Sequence, residues 1–274
     1  RGIMRRLVSA ARERGLTATV LTFDPHPARV LAPQRAPKLI MTIDQRLRAL
    51  ESEGIEAVLC LPFSVEFARE TPEEFAHSVL ADLLRARLVM VGEDFKFGRG
   101  QSGDIGTMRA LGAQFGFDVE PIVLLRAGGD RVSSTAIRAM ITRGEVSKAC
   151  RKLGAPFALE GEVVKGEGIG SKQTVPTLNL APRNEILPAR GVYVTRSEDL
   201  ETGRKWPSIT NVGVRPTFGG DHVTVETFLL APLESETPRR IEVRFLKFLR
   251  AERKFENAAA ANRLHARLKR LGVG

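Results

Sequence analysis

Cysteine is nearly missing from this chain: Cys60 and Cys150 are the only two among 274 residues. Two thiols cannot build a disulfide framework or a four-cysteine zinc site, so a reducing compartment, the cytoplasm, is expected. Long apolar runs are missing as well. None approaches the roughly 18–20 residues that cross a bilayer, and the opening segment RGIMRRLVSAARERG is amphipathic and charged, without the apolar stretch of a signal peptide. Membrane insertion and secretion are therefore not expected. Acidic residues fall short of basic ones, 32 against 42, for a formal net charge of +10. That balance favours anionic partners such as phosphorylated metabolites. The basic residues are nevertheless spread among acids with no Lys/Arg-rich block, so no nucleic-acid partner is expected. An initiator is missing too: the first residue is Arg1, from which a lost upstream segment is expected.

Hydrophobic residues at 43% and charged residues at 27% are those of a folded globular chain, and the length suits one large or two modest domains of roughly 100–200 residues. From Ile3 to Arg14 apolar residues recur at helical spacing and Gly15 follows as a C-terminal cap. Strand-like and helical segments then alternate. Thr17 to Phe23, Ile55 to Leu61, Leu88 to Val91 and Val119 to Leu124 read as strands. Asp44 to Glu53, Thr71 to about Arg85, Ile105 to Phe115 and a segment from Thr135 read as helices, with Thr71-Pro72 and Glu74 supplying a capping box. This alternation predicts an α/β domain with a parallel sheet covered on both faces. Near Pro156 helical periodicity stops. LEGEVV, GVYVTR, WPSITNVGV, HVTVETFLL and RIEVRFLKFL follow, separated by Gly, Pro and Asn, and predict a small antiparallel barrel with a helix over about Phe255 to Leu271 packed on its outside. No internal repeat is present. Two unlike domains are expected, 1–152 and 153–274, meeting around Lys152 to Pro156.

In an open parallel sheet ligands bind beyond the C-terminal ends of the strands, where FDPHP (Phe23–Pro27), GEDFKFGRGQSGD (Gly92–Asp104) and GGDRVSSTAIR (Gly128–Arg138) stand. Ser133, Ser134 and Thr135 at a helix start, with Arg138 one turn in, suit a phosphate, although Ser133 or Ser134 equally serves as an N-cap. In the second domain Gly161, Gly166, Gly168 and Gly170 allow close backbone approach to a ligand, with Lys165 and Lys172 as phosphate charges. Thr177 and Asn179, two apart on an extended segment, put a hydroxyl and an amide oxygen on one face, a donor pair suited to Mg²⁺ carrying ATP phosphates; the two also suit a plain turn. Glu226 shares its strand face with Thr224 and Phe228 in VTVETFLL and is expected to point into the barrel, where an unused carboxylate costs several kcal/mol.

The ordered set FDPHP, GEDFKFG, GDRVSSTAIR, PTLNL, GVYV and TNVGVRPTFGGDHVTVETFLL resembles the bifunctional bacterial riboflavin kinase/FMN adenylyltransferase (FAD synthetase) family across nearly the whole chain. The resemblance implies an N-terminal nucleotidyltransferase domain of Rossmann-like α/β form that adenylylates FMN and a C-terminal six-stranded barrel that phosphorylates riboflavin. Riboflavin, FMN and MgATP are then the partners. It implies that Glu226 is the catalytic base, that Thr177 and Asn179 contact MgATP, that Ser133, Ser134, Thr135 and Arg138 contact the adenylyl donor, and that Phe23, His26, Pro27 and Asp94 lie on the flavin side. The family's G-x-F-D-G-x-H-x-G-H motif is absent from these residues, so a first strand and a catalytic loop are expected to be missing and FAD formation to be weak. The kinase loop also departs, with Ile169, Ser171 and Gln173-Thr174-Val175 where many members carry arginines and Leu-Gly-Phe. A kinase with a relic N-terminal domain and a non-catalytic flavin- or nucleotide-binding module are the alternatives.

Overall fold

The computed structural model describes residues 2–122, 126–127, 130–164, 177–217, 220–233 and 236–251. They fall into two compact units, Arg1–Pro37 with Ile43–Val132, and Lys38–Thr42 with Ser133–Gly274.

The first unit runs α1 (Gly2–Arg14), β1 (Thr19–Phe23), α2 (Pro27–Leu31), α3 (Ile43–Glu51), β2 (Ala57–Leu61), α4 (Pro72–Phe75), β3 (Leu88–Gly92), α5 (Ile105–Phe115) and β4 (Asp118–Ile122), then the short pair β5 (Arg126–Ala127) and β6 (Asp130–Arg131). Helix ends follow their capping chemistry. Asp104 Oδ1 accepts the Thr107 N–H at 3.0 Å and Gly116 ends α5 at φ +82, so both boundaries of this helix fall where the sequence predicts. Thr71 Oγ1 accepts the Glu74 N–H at 3.2 Å while Glu74 accepts the Thr71 N–H at 2.7 Å, a complete capping box. The helix it opens does not stay α-helical to Arg85. Ala76–Leu83 is π-helical, and the Ser78 hydroxyl donates to the Glu74 carbonyl that the next α-helical N–H would take.

β1 pairs with β2 and β3 with β4, both parallel. The parallel pairing expected from the alternation is present in both pairs, and among the described residues no strand joins one pair to the other. Both pairs share one core: Phe75, Val79, Leu80, Met108, Leu111 and Phe117 are buried, with Leu21, Leu59, Val89 and Val119 packed on them. Each fully buried side chain of this size contributes about 1.5–3 kcal/mol. Among the described residues no helix is long and apolar enough to cross a membrane.

In the second unit α6 (Ser134–Thr142) and α7 (Val146–Leu153) precede β7 (Phe157–Val164), β8 (Thr177–Pro182), β9 (Gly191–Asp199), β10 (Lys205–Thr217), β11 (Gly220–Leu229) and β12 (Arg240–Arg250). The six strands close into an antiparallel barrel in the order β10-β11-β8-β7-β12-β9. α7, which the sequence reading passed over, buries Val146 and Ala149, and Ser147 donates to the Leu246 carbonyl at 2.8 Å. The compact grouping therefore places 133–152 with the barrel. Segment 38–42 is laced to the same unit: the Leu39 N–H donates to Glu185 at 2.9 Å, and the Thr42 hydroxyl donates to the fully buried Glu160. The barrel interior is apolar at Phe157, Leu159, Val225 and Phe245, but it also holds buried hydroxyls. Thr195 contacts Ser208 and Thr210 at 2.8 Å, Ser197 contacts Ser208 at 2.9 Å, and Thr210 contacts Thr227 at 3.0 Å. The helix expected over Phe255 to Leu271 lies outside the described residues.

Candidate functional site

Strand alternation builds the barrel site. In β8 Leu178 and Leu180 are buried inside, which turns Thr177 and Asn179 to the outer wall; in β11 Val225, Thr227 and Leu229 fill the interior, which turns Thr224, Glu226 and Phe228 outward. Glu226 therefore does not point into the barrel. It is half-buried on the outer wall, because the hydroxyl of Thr227 finds partners inside and leaves the outer position to the carboxylate.

The ladder register brings the predicted residues together. Asn179 stands directly opposite Glu226, and Thr177 opposite Phe228, in the β8–β11 pair. Such partners have Cβ atoms about 4.5–5.5 Å apart on one face. Across the other edge of β11, Glu226 is opposite Asn211 of β10. The outer wall thus carries one polar row, Asn179, Glu226, Asn211, with the Thr177 hydroxyl two residues along. The sequence reading missed Asn211, which only the β10–β11 register places beside Glu226. Its Oδ1 is buried and has no hydrogen-bond partner among the described residues. Neutral hydroxyl and carboxamide oxygens are hard donors that fit a Mg²⁺ already carrying phosphates.

Gly161 lies inside β7, away from any loop. A Cβ there would stand 1.9 Å from the Ala181 carbonyl oxygen, so close strand packing by itself requires glycine. Gly166, Gly168, Gly170 and Lys172 lie outside the described residues.

At the start of α6, Ser133 is the N-cap, its hydroxyl accepting the Ala136 N–H at 3.4 Å. Ser134 and Thr135 are exposed in the first turn. Arg138 Nε donates to the Lys38 carbonyl at 2.6 Å, which holds the guanidinium against the 38–42 segment. In the first unit Phe23 closes β1, and the chain turns through a cis Asp24-Pro25 peptide to His26, whose Nδ1 accepts the Ala28 N–H at 3.1 Å and caps α2 with Pro27 at its first position. That bond fixes Nδ1 as the acceptor and leaves Nε2 for the proton of the neutral ring. Phe23 lies at one end of a run of rings: Phe63 at 5.4 Å, Phe67 at 5.6 Å, then Phe75, Phe97 and Phe95. Phe63 and Phe67 were not singled out in the sequence, where nothing separates them from core residues. Asp94 is exposed on the loop after β3.

Residues 1–136 match the family described as FAD synthetase, and residues 153–269 match the family described as riboflavin kinase. The chain is 34% identical over 271 residues to the bifunctional riboflavin kinase/FMN adenylyltransferase of Escherichia coli (strain K12), covering 98% of this chain and 85% of that protein. It is also 34% identical to the protein of that name from Pseudomonas fluorescens, covering 94% and 82%. Among solved structures it is similar, with a TM-score of 0.81 and 28% identity over 97% of this chain and 88% of the other, to a crystal structure described as a macrolide-efflux protein from Streptococcus pneumoniae.

Proposed function

Because the chain belongs to the bifunctional riboflavin kinase/FMN adenylyltransferase family, we propose that its barrel unit phosphorylates riboflavin to FMN and that its α/β unit serves the adenylylation of FMN to FAD. Both reactions consume ATP, and a cytoplasmic site of action, where ATP is abundant, belongs to this reading. The observation that supports the kinase half is the row of Asn179 and Glu226 with Thr177 on the same outer wall. Phosphoryl transfer asks for positioning and charge neutralisation more than for covalent chemistry. The Thr177 hydroxyl and the Asn179 carboxamide oxygen hold the phosphate end of MgATP; the metal, when bound, offsets the phosphate charge. Glu226 accepts the proton of the riboflavin 5′-hydroxyl as its oxygen bonds to the γ-phosphorus and the bond from that phosphorus to the leaving ADP oxygen breaks. For adenylyl transfer, Ser134, Thr135 and Arg138 at the start of α6 are the candidates for contacting the donor phosphates; in the first unit, taken by itself, Phe23, His26, Pro27 and Asp94 are the candidates for contacting the flavin.

The test is direct. The purified chain with riboflavin and MgATP should yield FMN, followed by chromatography. Glu226→Gln, which keeps shape and removes the proton acceptor, should retain ATP binding and lose roughly 100-fold or more in turnover. Unchanged turnover in that variant refutes the assignment.

A further inference from the structure

Asn211 is the one member of the polar row to which the kinase chemistry above gives no task. It sits beside Glu226 in the β10–β11 ladder, on the far side from Asn179. Its Oδ1 is buried and meets no donor among the described residues. Buried carboxamide oxygens in folded proteins are nearly always paired, so an exception calls for a donor, and a bound substrate can bring one. Glu226 cannot be that partner while it serves as base, since a carboxylate only accepts hydrogen bonds. The triphosphate cannot either, because ionised phosphates carry no donors. Hydroxyls can. The hydroxyl to be phosphorylated must come to Glu226, and the rest of the polyol chain comes with it. Beyond Asn211 the outer row continues through Val192 to Arg250, and two residues along the wall Ile209 faces Phe228, so the immediate cross-strand neighbours of this acceptor, Glu226 aside, are apolar.

We infer that Asn211 is a specificity residue for the flavin substrate: its Oδ1 accepts a hydrogen bond from a secondary hydroxyl of the ribityl chain, holding that chain so that the 5′-hydroxyl lies against Glu226. This rests on the kinase reading.

The experiment uses the full chain, Asn211→Leu, which keeps the volume and removes the acceptor, and Asn211→Ser as a second variant. Riboflavin and its 2′-, 3′- and 4′-deoxy analogues are the substrates. Asn211→Leu should raise KM for riboflavin roughly 10- to 100-fold, the scale of one lost buried hydrogen bond, and leave KM for MgATP unmoved. Its thermal midpoint should stay level or rise, because an orphan acceptor has been removed and no internal bond lost. One deoxy analogue should be a poor substrate of the unaltered chain and no poorer for Asn211→Leu. If Asn211→Leu does not fold, Asn211→Ser carries the same comparison. A KM for riboflavin that does not move, a rise in KM for MgATP in its place, or losses that add for all three analogues overturns the inference alone. Failure of the unaltered chain to phosphorylate riboflavin overturns the kinase reading and this inference with it.

Discussion

Replacing Gly161 with alanine separates packing from ligand binding at a position that a glycine-rich phosphate loop would also claim. The added Cβ would lie 1.9 Å from the Ala181 oxygen, 2.8 Å from its carbonyl carbon and 3.2 Å from Leu180 Cδ1. Carbon and carbonyl oxygen approach to about 3.3 Å even in favourable contacts, so the strands must part by about 1.4 Å. They cannot do so freely. β7 is bonded to β8 on one edge and to β12 on the other, with Gly161 opposite Pro182 and Ile241. Overpacking against yielding side chains costs about 1–3 kcal/mol, and the collision here is with backbone, so about 3 kcal/mol is expected. At about 2–4 °C per kcal/mol for a unit of this size, the barrel transition should fall by about 6–12 °C. The assay is thermal unfolding of the full chain by circular dichroism, paired with KM for MgATP measured well below the transition. A lowered Tm with unchanged KM is the expected result. An unchanged Tm with a raised KM for MgATP would refute the reasoning and return Gly161 to phosphate binding.

Three further predictions follow from other features. Tyr193 is the only tyrosine; burial pushes its phenol well above its ordinary value of 10.0, and its hydroxyl donates to the Ala189 carbonyl. Ultraviolet titration should show no tyrosinate as pH passes 10, then its appearance together with unfolding, because above the ordinary value only the unfolded phenol ionises and stability is lost; early ionisation of the folded chain would contradict this. The Thr107 backbone N–H and hydroxyl, with Lys96 nearby, hold the Asp104 carboxyl below its ordinary 3.8. The stabilisation it gives α5 is therefore present above that pH and lost as pH falls through the lower folded-state value, and Asp104→Asn should flatten this acid limb in a series of melting curves; an unaltered limb would count against it. Finally, a donor chiral at the γ-phosphorus should give FMN with inverted configuration, as a single displacement onto the 5′-hydroxyl requires, and retention would rule out the roles given to Thr177 and Glu226.

Local chemistry was the most legible part of the sequence. Asp104 and Gly116 bracket α5 because a side-chain acceptor and a left-handed cap act within one turn, and the Thr71–Glu74 capping box is equally local. What depends on neighbours was not legible. The π-helical run after Phe75 turns on the Ser78 hydroxyl competing for a carbonyl, which composition does not reveal. The alternation in VTVETFLL correctly groups Thr224, Glu226 and Phe228 on one face, but which face is inside depends on whether Thr227 finds a hydroxyl partner, and that partner, Thr210, comes from β10. Asn211 was invisible for the same reason: a strand asparagine gains meaning only when register sets it next to Glu226. The parallel pairing of β1 with β2 and β3 with β4 followed the alternation, whereas continuity between the pairs is a long-range property.

The buried hydroxyls run in one chain, Ser197 to Ser208 to Thr195 to Thr210 to Thr227, across three neighbouring strands. A slip of β11 by one residue on β10 would turn Thr227 out to solvent, away from Thr210, and drag Glu226 inward, so one error incurs two penalties at once. The interior chain is thus an alignment key for a row of side chains it never touches. A mutation such as Thr210→Val, facing away from every substrate, would loosen the aim of Glu226, and selection for turnover would be felt on the dark side of the wall.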